Sequence, residues 1–198
     1  MPIFLKNPHS VLAALETRPE DIFEIYLPSK NAGEAWETVR TIAQELGIKI
    51  SGDRRQSSRG KKNSSRRTGL PEAMLKERLA ITSERIFSEI QKTDLYLALD
   101  TIQDPQNLGA IFRTAAFFGV KGIILTRNRS APLSEVVYDV ASGGVEYVPF
   151  SIQTNLTRAL DFGKEKGLWI LGTSEQAEIK LEQIKPDRPW FLVLGNEK

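Results

Sequence analysis

The sequence contains no cysteine and only one histidine, His9, among its 198 residues. The absence of cysteine excludes disulfides and thiolate metal sites, and it is typical of a cytoplasmic protein. A single imidazole gives no basis for a His-ligated metal centre or a serine–histidine–aspartate triad, and we favour a surface or capping position for His9 over a catalytic one. We therefore expect no metal site, and we expect the chemistry to come from arginine, asparagine, serine and glutamate side chains and a bound cofactor.

Long apolar runs and the common nucleotide-binding motifs are also missing. No segment approaches the ~18 consecutive apolar residues that a membrane span needs, and the N-terminus has no basic region followed by an apolar stretch, so we predict neither a membrane helix nor a signal peptide. The sequence has no GxGxxG after a predicted strand and no GxxxxGK[ST]. This argues against a dinucleotide-binding enzyme and against a P-loop NTPase.

Positive charge is concentrated in one segment. The net charge of the chain is +2, yet residues 54–67 carry seven basic side chains and no acidic one. They are Arg54, Arg55, Arg59, Lys61, Lys62, Arg66 and Arg67. The surrounding segment, residues 51–68, is rich in Ser, Arg and Lys, which predicts a mobile loop. Such side chains can contact nucleic-acid phosphates, and the alternative is a solvated loop that only improves solubility.

The second half of the chain alternates short apolar segments with helical patterns. The predicted strands are residues 95–100, 122–126, 147–150, 168–172 and 190–194. The predicted helices are residues 108–118, 134–142 and 155–166. This alternation indicates an α/β fold, a parallel sheet with helices on both faces, in which ligands bind beyond the carboxyl ends of the strands.

The first half predicts a smaller α/β unit. Its predicted elements are a helix at 10–15, a strand at 22–27, a helix at 32–46 ended by Gly47, and a strand at 48–50. Residues 71–79 and 84–90 show helical patterns and should connect the two halves. We place the boundary near Thr93, so that residues 1–92 and 93–198 form two domains.

One stretch, residues 95–120, combines a buried strand, a polar turn and a helix that carries a single arginine, Arg113. Asp104 can accept hydrogen bonds from free amides at the helix start, and Pro105 is tolerated in a first turn. Gly109 permits close approach of another backbone. The stretch therefore predicts the beginning of a βαβ unit.

Three ordered pieces of the sequence resemble one family. DPQNLGAIFRTAAFFGV (104–120), SAPLSEVVYDVASGGVEYVPF (130–150) and FLVLGNEK (191–198) are similar to motifs of the SpoU (TrmH-type) ribose 2′-O-methyltransferases of the SPOUT superfamily. The resemblance implies a methyltransferase that uses S-adenosyl-L-methionine and modifies RNA, with rRNA favoured over tRNA. It also implies a homodimer for the full-length protein. It also implies that residues 1–92 bind RNA and that the basic segment contacts RNA phosphates.

The resemblance assigns roles to three residues near the reacting groups. Arg113 matches the arginine that activates the ribose hydroxyl; because a guanidinium holds its proton firmly, we expect it to bind a phosphate and stabilise the developing alkoxide. The alternative is an arginine whose stem lies along an apolar helix. Asn107 could orient the ribose or cap the helix, and Glu197 could act in proton transfer or in ordering the loop.

The resemblance also implies a cofactor pocket. Thr173, Gly195 and Asn196 match its lining, and Arg129 could contact RNA or simply lie at the surface. Ser142, in the sequence Ala-Ser-Gly-Gly, lies among small residues that let a helix pack closely against the sheet.

In the family the chain continues beyond the position that matches Lys198, with further strands, a Ser- and Asn-containing motif and a final knotted helix. We therefore expect this sequence to be a fragment or a truncated product, and we expect calorimetry with S-adenosylmethionine to show no saturable binding. The alternative function is a non-catalytic RNA-binding protein on a degenerate or truncated methyltransferase scaffold.

Overall fold

The structure, a computed structural model, describes residues 1–28, 32–52 and 70–195. The seven basic residues of segment 54–67, together with Asn196 and Glu197, lie outside the described residues. No helix in the described ranges is both long and apolar enough to cross a membrane.

The larger sheet contains five parallel strands in the order β7-β6-β5-β9-β8. These strands are β5 (Leu95–Asp100), β6 (Gly122–Thr126), β7 (Phe150–Gln153), β8 (Trp169–Gly172) and β9 (Trp190–Gly195). Four of them lie where the sequence predicts, whereas β7 begins three residues later than the predicted 147–150. The chain adds β6 and β7 on one side of β5 and then crosses to β9 and β8 on the other side, so β5 and β9 form the switch point of the sheet.

Helices cover this sheet on both faces, which confirms the predicted fold class. They are α3 (Ser83–Ile86), α4 (Pro105–Phe117), α5 (Glu135–Ala141), α6 (Gly144–Tyr147) and α7 (Leu156–Glu165). Successive residues of β5 face opposite ways: Leu97 and Leu99 pack with α4 and α5, whereas Tyr96 and Ala98 pack with α3 and α7. The period of two along a buried strand therefore produces two separate apolar layers.

The smaller sheet has four strands in the order β1-β4-β2-β3. They are β1 (Pro2–Leu5), β2 (Ile22–Tyr26), β3 (Ile50–Ser51) and β4 (Glu72–Lys76), and α1 (Pro8–Thr17) and α2 (Glu34–Glu45) accompany them. Strand β4 pairs antiparallel with both β1 and β2, while β2 and β3 are parallel.

The helix predicted for residues 71–79 is wrong, because β4 occupies this segment. Its residues are good helix formers, but Ala73 and Leu75 are fully buried and alternate with more accessible neighbours. Two flanking strands supply hydrogen bonds to β4, and this tertiary pairing outweighs the local helical preference.

The two sheets share one continuous apolar core. Residues of α1 and β1 belong to the same buried cluster as residues of α4, α5 and α6. The side chain of Asn7 also donates to the Asp139 carbonyl (2.7 Å), and the Ser10 hydroxyl donates to the Tyr138 carbonyl (2.7 Å). Helix α1 is thus fixed directly against α5. The division into two domains at residues 92 and 93 stays a prediction.

Candidate active site

The start of α4 has the geometry that the sequence predicts. Asp104 is extended (φ −83°, ψ 120°) and its carboxylate accepts a hydrogen bond from the Gln106 amide at 2.8 Å. Pro105 is the first helical residue, where its missing N–H costs nothing. The cap fixes the direction in which α4 leaves the carboxyl end of β5.

Gly109 allows α4 to approach α5. A Cβ atom built at Gly109 would lie 2.7 Å from the Val140 Cβ and 2.9 Å from the Val137 carbonyl oxygen. Any larger residue would push the two helices apart, which would shift the position of α4 on the sheet.

A groove of about 900 Å³ runs between α4 and the face of β5 and β9. We call it the sheet groove. Its floor is apolar and includes Leu97, Leu192 and Leu194, while Asp104 and Asn107 lie at its polar end. Gly195, which pairs with Asp100 at the ends of β9 and β5, also lines it. The structure therefore brings Asn107 and Gly195 into one groove at the switch point.

Arg113 lines a different cavity. This second cavity, of about 460 Å³, lies between α1, α4 and the α5–α6 junction, and we call it the α1–α4 cavity. It is lined by His9, Arg113, Ala116, Ala141, Ser142, Gly144 and Tyr147. His9 is exposed, as predicted for a surface residue, and it also lines this cavity. The sequence contains no local signal of its position beside Arg113.

The helical repeat explains why Asn107 and Arg113 point in different directions. Six residues correspond to about 600° of helix rotation, which leaves the two side chains about 120° apart around α4. The helix lies on the same face of the sheet as Leu192 and Leu194, next to the end of β9. Within the described residues of one chain, α4 therefore lies beside the end of β9 at Gly195. The Arg113 guanidinium, however, is directed away from the sheet groove.

The remaining predicted residues lie at strand ends. Thr173 is exposed, and its hydroxyl donates to the Val193 carbonyl at 3.0 Å, so it links the ends of β8 and β9. Arg129 has a positive φ (56°) and lines a third cavity of about 430 Å³ with Asp100 and Asn155, beyond the ends of β5 and β7. Neither residue lines the sheet groove or the α1–α4 cavity.

Sequence comparison decides the family. The model of the SpoU rRNA methylase family matches residues 94–198, which is more than half of the chain. The chain belongs to the SpoU rRNA methylase family.

Two relatives are similar to the chain over nearly its whole length. It is 34% identical over 192 residues to the 23S rRNA (guanosine-2′-O-)-methyltransferase RlmB of Nitrosomonas europaea, covering 96% of this chain and 73% of that protein. The RlmB of Shewanella oneidensis is 35% identical over 191 residues, with 96% and 77% covered. The chain thus spans about three-quarters of the length of these relatives.

Solved SpoU structures share the fold. The AdoMet complex of the SpoU methyltransferase AviRb from Streptomyces viridochromogenes matches with a TM-score of 0.75 at 17% identity, covering 99% of this chain and 74% of that one. The similarity therefore includes both sheets.

The SpoU motif around Ser142 connects α1 to α4. Ser142 and Gly143 both have positive φ, 48° and 96°. A Cβ atom at Gly143 would lie 2.7 Å from the Ala13 Cβ of α1, and one at Gly144 would lie 2.5 Å from the Phe112 carbonyl oxygen of α4. Two consecutive glycines thus let both helices pack against the same backbone. The small residues serve contacts with helices α1 and α4, whereas the sequence predicts close packing against the sheet.

Two ionisable groups of this region are perturbed. Burial raises the pKa of the Asp139 carboxyl, although the amides of Asn7 and Lys6 donate to it and partly offset the effect. The hydrogen bond to the Glu16 carboxylate (2.5 Å) raises the pKa of Tyr147 to about 12, so the phenol stays protonated as a donor. The cavity wall at Tyr147 is therefore fixed to α1.

Proposed function

We propose that this protein is an S-adenosyl-L-methionine-dependent methyltransferase that modifies the ribose 2′-hydroxyl of a guanosine in 23S rRNA. The observation that carries the proposal is the identity of about one-third, over 96% of the chain, to two proteins named as 23S rRNA guanosine 2′-O-methyltransferases. The shared SpoU fold supports the same reaction class. An rRNA substrate also favours a cytoplasmic location.

The sheet groove fits a nucleoside-like methyl donor. Its volume of about 900 Å³ lies in the range of small-molecule sites, and it combines an apolar floor with polar groups at one end. A Cβ atom at Gly195 would meet nothing within 4 Å, so a ligand can approach the backbone there. Gly195 would hold the donor in this groove, and Asn107 would orient the ribose from its polar end. Thr173, at the neighbouring end of β8, and Asn196, the next residue in sequence after Gly195, complete the proposed cofactor-binding set. S-adenosylmethionine, when bound, supplies an electrophilic methyl group.

Arg113 is proposed to act on the substrate side of the reaction. The ribose oxygen forms a bond to the methyl carbon as the carbon–sulfur bond breaks, and the hydroxyl proton must leave at the same time. A guanidinium does not take this proton readily, but it can bind the adjacent phosphate in a bidentate manner and stabilise negative charge on the oxygen. Glu197 is the proposed proton acceptor.

A homodimer is part of this proposal. Within the described ranges, Arg113 and Gly195 of one chain line separate cavities, so a second copy offers a way to bring the two sites together. Phe117 and Phe118 at the end of α4 are 84% and 71% exposed, which provides apolar surface for such a contact. Sedimentation velocity on the full-length protein should give a dimer, and a monomer at all concentrations would contradict this part of the proposal.

The basic residues are proposed to bind the RNA backbone. The cluster at 54–67 and Arg129 would contribute affinity without base recognition, because phosphate contacts carry little sequence information. Specificity for one guanosine then has to arise elsewhere, from RNA shape or base contacts.

Deletion of the gene in its own organism tests the proposed function. We expect mass spectrometry of ribonuclease digests to show loss of one 2′-O-methylguanosine from 23S rRNA, with the other modifications unchanged. Restoring the intact gene should restore the modification. Unchanged 23S rRNA would contradict the proposal, and loss of a ribose methyl group from tRNA instead would contradict the rRNA assignment.

A further inference from the structure

The α1–α4 cavity contains two basic side chains that no protein group engages. Within the described part of the chain, neither the His9 imidazole nor the Arg113 guanidinium has a hydrogen-bond or ion-pair partner. Both side chains are exposed and line the same cavity. They come from different elements, since His9 lies in the first turn of α1 and Arg113 in the second half of α4.

Hydrogen bonds and close packing fix the backbone around His9. The His9 amide donates to the Asn7 side-chain oxygen at 2.9 Å, which caps α1. The Asn7 side-chain nitrogen donates in turn to the Ser142 hydroxyl at 3.0 Å. A Cβ atom at Gly143 would lie 3.2 Å from the His9 carbonyl oxygen, so the first turn of α1 packs closely on the α5–α6 junction.

Arg113 is positioned from the other side of the same junction. The Gly144 position has no room for a side chain, because a Cβ atom there would lie 2.8 Å from the Arg113 amide nitrogen. The junction therefore sets the distance between His9 and Arg113 through backbone packing on both sides. The backbones that carry both side chains are therefore in place before a ligand binds.

The charge of the cavity favours an anion. The first turn of α1 carries no acidic residue. The neighbouring carboxylates are engaged by other groups: Asp139 accepts from the Lys6 and Asn7 amides, and Glu16 accepts from the Tyr147 phenol. A guanidinium offers a planar pair of donors that matches phosphate oxygens, and an imidazole adds a further N–H donor.

We propose that His9 and Arg113 together bind a single backbone phosphate of the substrate RNA, with His9 contributing from the N-terminal unit. This inference rests on the proposed function for the identity of the ligand. It makes His9 a phosphate-binding residue and gives the N-terminal unit a direct contact at the reacting nucleotide, in addition to any contact through its basic segment.

The single histidine of the sequence makes a direct test available. The imidazole Hε1 resonance of His9 is assigned without ambiguity in a proton NMR spectrum of the whole chain. We expect it to shift during titration with a 23S rRNA fragment and to shift much less in the Arg113→Ala variant. Sodium chloride at matched ionic strength and inorganic phosphate serve as reference titrations. An equal shift with chloride alone would overturn the proposal.

Binding measurements on variants give a second test that does not depend on methyl transfer. We expect His9→Ala to weaken RNA binding by about threefold to tenfold and Arg113→Ala to reduce the salt-dependence slope of binding by about 1. The double variant should lose less than the product of the two single losses, because both residues contact one phosphate. Lys166→Ala, at the end of α7 on the opposite face of the sheet, is the matched control and should bind as the parent does.

The outcomes separate this inference from the proposed function. RNA binding with an unmoved His9 signal and unchanged affinity of His9→Ala would overturn the phosphate site and leave the 23S rRNA result untouched. Fully independent effects of His9→Ala and Arg113→Ala would also overturn it. Conversely, a His9 shift on RNA binding without any loss of 23S rRNA methylation in the deletion strain would overturn the proposed function and retain the site.

Discussion

Replacing Arg113 with alanine is expected to reduce the rate of methyl transfer by about 10²- to 10³-fold, the usual effect of removing one donor to a developing oxyanion. The RNA affinity should fall far less, because one phosphate contact among many contributes little to the total binding. Arg113 is exposed and has no partner within the described ranges, so its removal should leave the melting temperature unchanged. The measurement, made on the full-length protein, is the single-turnover rate at saturating RNA and S-adenosylmethionine, with binding and melting followed on the same preparations.

Arg113→Lys separates charge from geometry. A lysine retains the positive charge but loses the planar pair of donors, so its rate should lie between those of the parent and Arg113→Ala. Lys121→Ala, just beyond α4, is the matched control, because this exposed basic residue lies outside both cavities. Equal rates for the parent and Arg113→Ala would favour a non-catalytic RNA-binding protein instead.

Local chemistry made much of the larger, five-stranded sheet and its first helix predictable. The cap at Asp104, the close approach at Gly109 and the small residues at Gly143 and Gly144 are requirements of a few neighbouring atoms, and the sequence reveals them. Strands of the parallel sheet are buried on both faces, so they appear in the sequence as short, continuous apolar runs. These features sufficed to predict the fold class and the position of α4.

The features that the sequence did not reveal depend on contacts between segments that are distant in sequence. Residues 71–79 have helical propensity, but β4 forms because β1 and β2 flank it, and β1 itself was not anticipated. Helix α6 is a single turn between Gly143 and Val148, too short to give a periodic signal. The position of His9 beside Arg113 depends on residues more than a hundred positions apart in sequence, so no local pattern predicts it.

A buried ion pair between the N-terminal unit and α6 is expected to have the largest effect on stability. The Arg18 and Glu146 side chains are 9% and 1% exposed, and they are joined by two parallel bonds, Nε to Oε2 at 2.7 Å and Nη2 to Oε1 at 2.8 Å. A third nitrogen of Arg18 donates to the Lys76 carbonyl at the end of β4. The pair therefore connects α1, β4 and α6, and Arg78 adds bonds from the same side to the carbonyls of Val145 and Val148.

Glu146→Gln should lower the free energy of unfolding by about 3 kcal/mol, because it removes the buried counter-charge of the Arg18 guanidinium while barely changing the side-chain volume. The guanidinium then keeps only the more exposed Asp21 carboxylate, at 3.2 Å, as an ionic partner. Replacing both partners, as in Arg18→Met with Glu146→Leu, should recover much of this loss, since an apolar pair does not have to be desolvated. Urea unfolding measures both effects. Asp161→Asn removes an exposed pair with Lys164 and should change the free energy by less than about 1 kcal/mol.

Glu146→Gln is also expected to affect the candidate site. Glu146 lies on the single turn α6, which begins at Gly144, and Gly144 contacts the backbone of Phe112 and Arg113. A shift of α6 after loss of the ion pair would therefore alter the distance between α1 and α4 and separate His9 from Arg113. We expect Glu146→Gln to weaken RNA binding in the parent but to have a much smaller effect on binding in the His9→Ala background, measured well below the melting temperature of each variant. An equal effect in the parent and in His9→Ala would mean that the ion pair stabilises the fold without fixing the distance between His9 and Arg113.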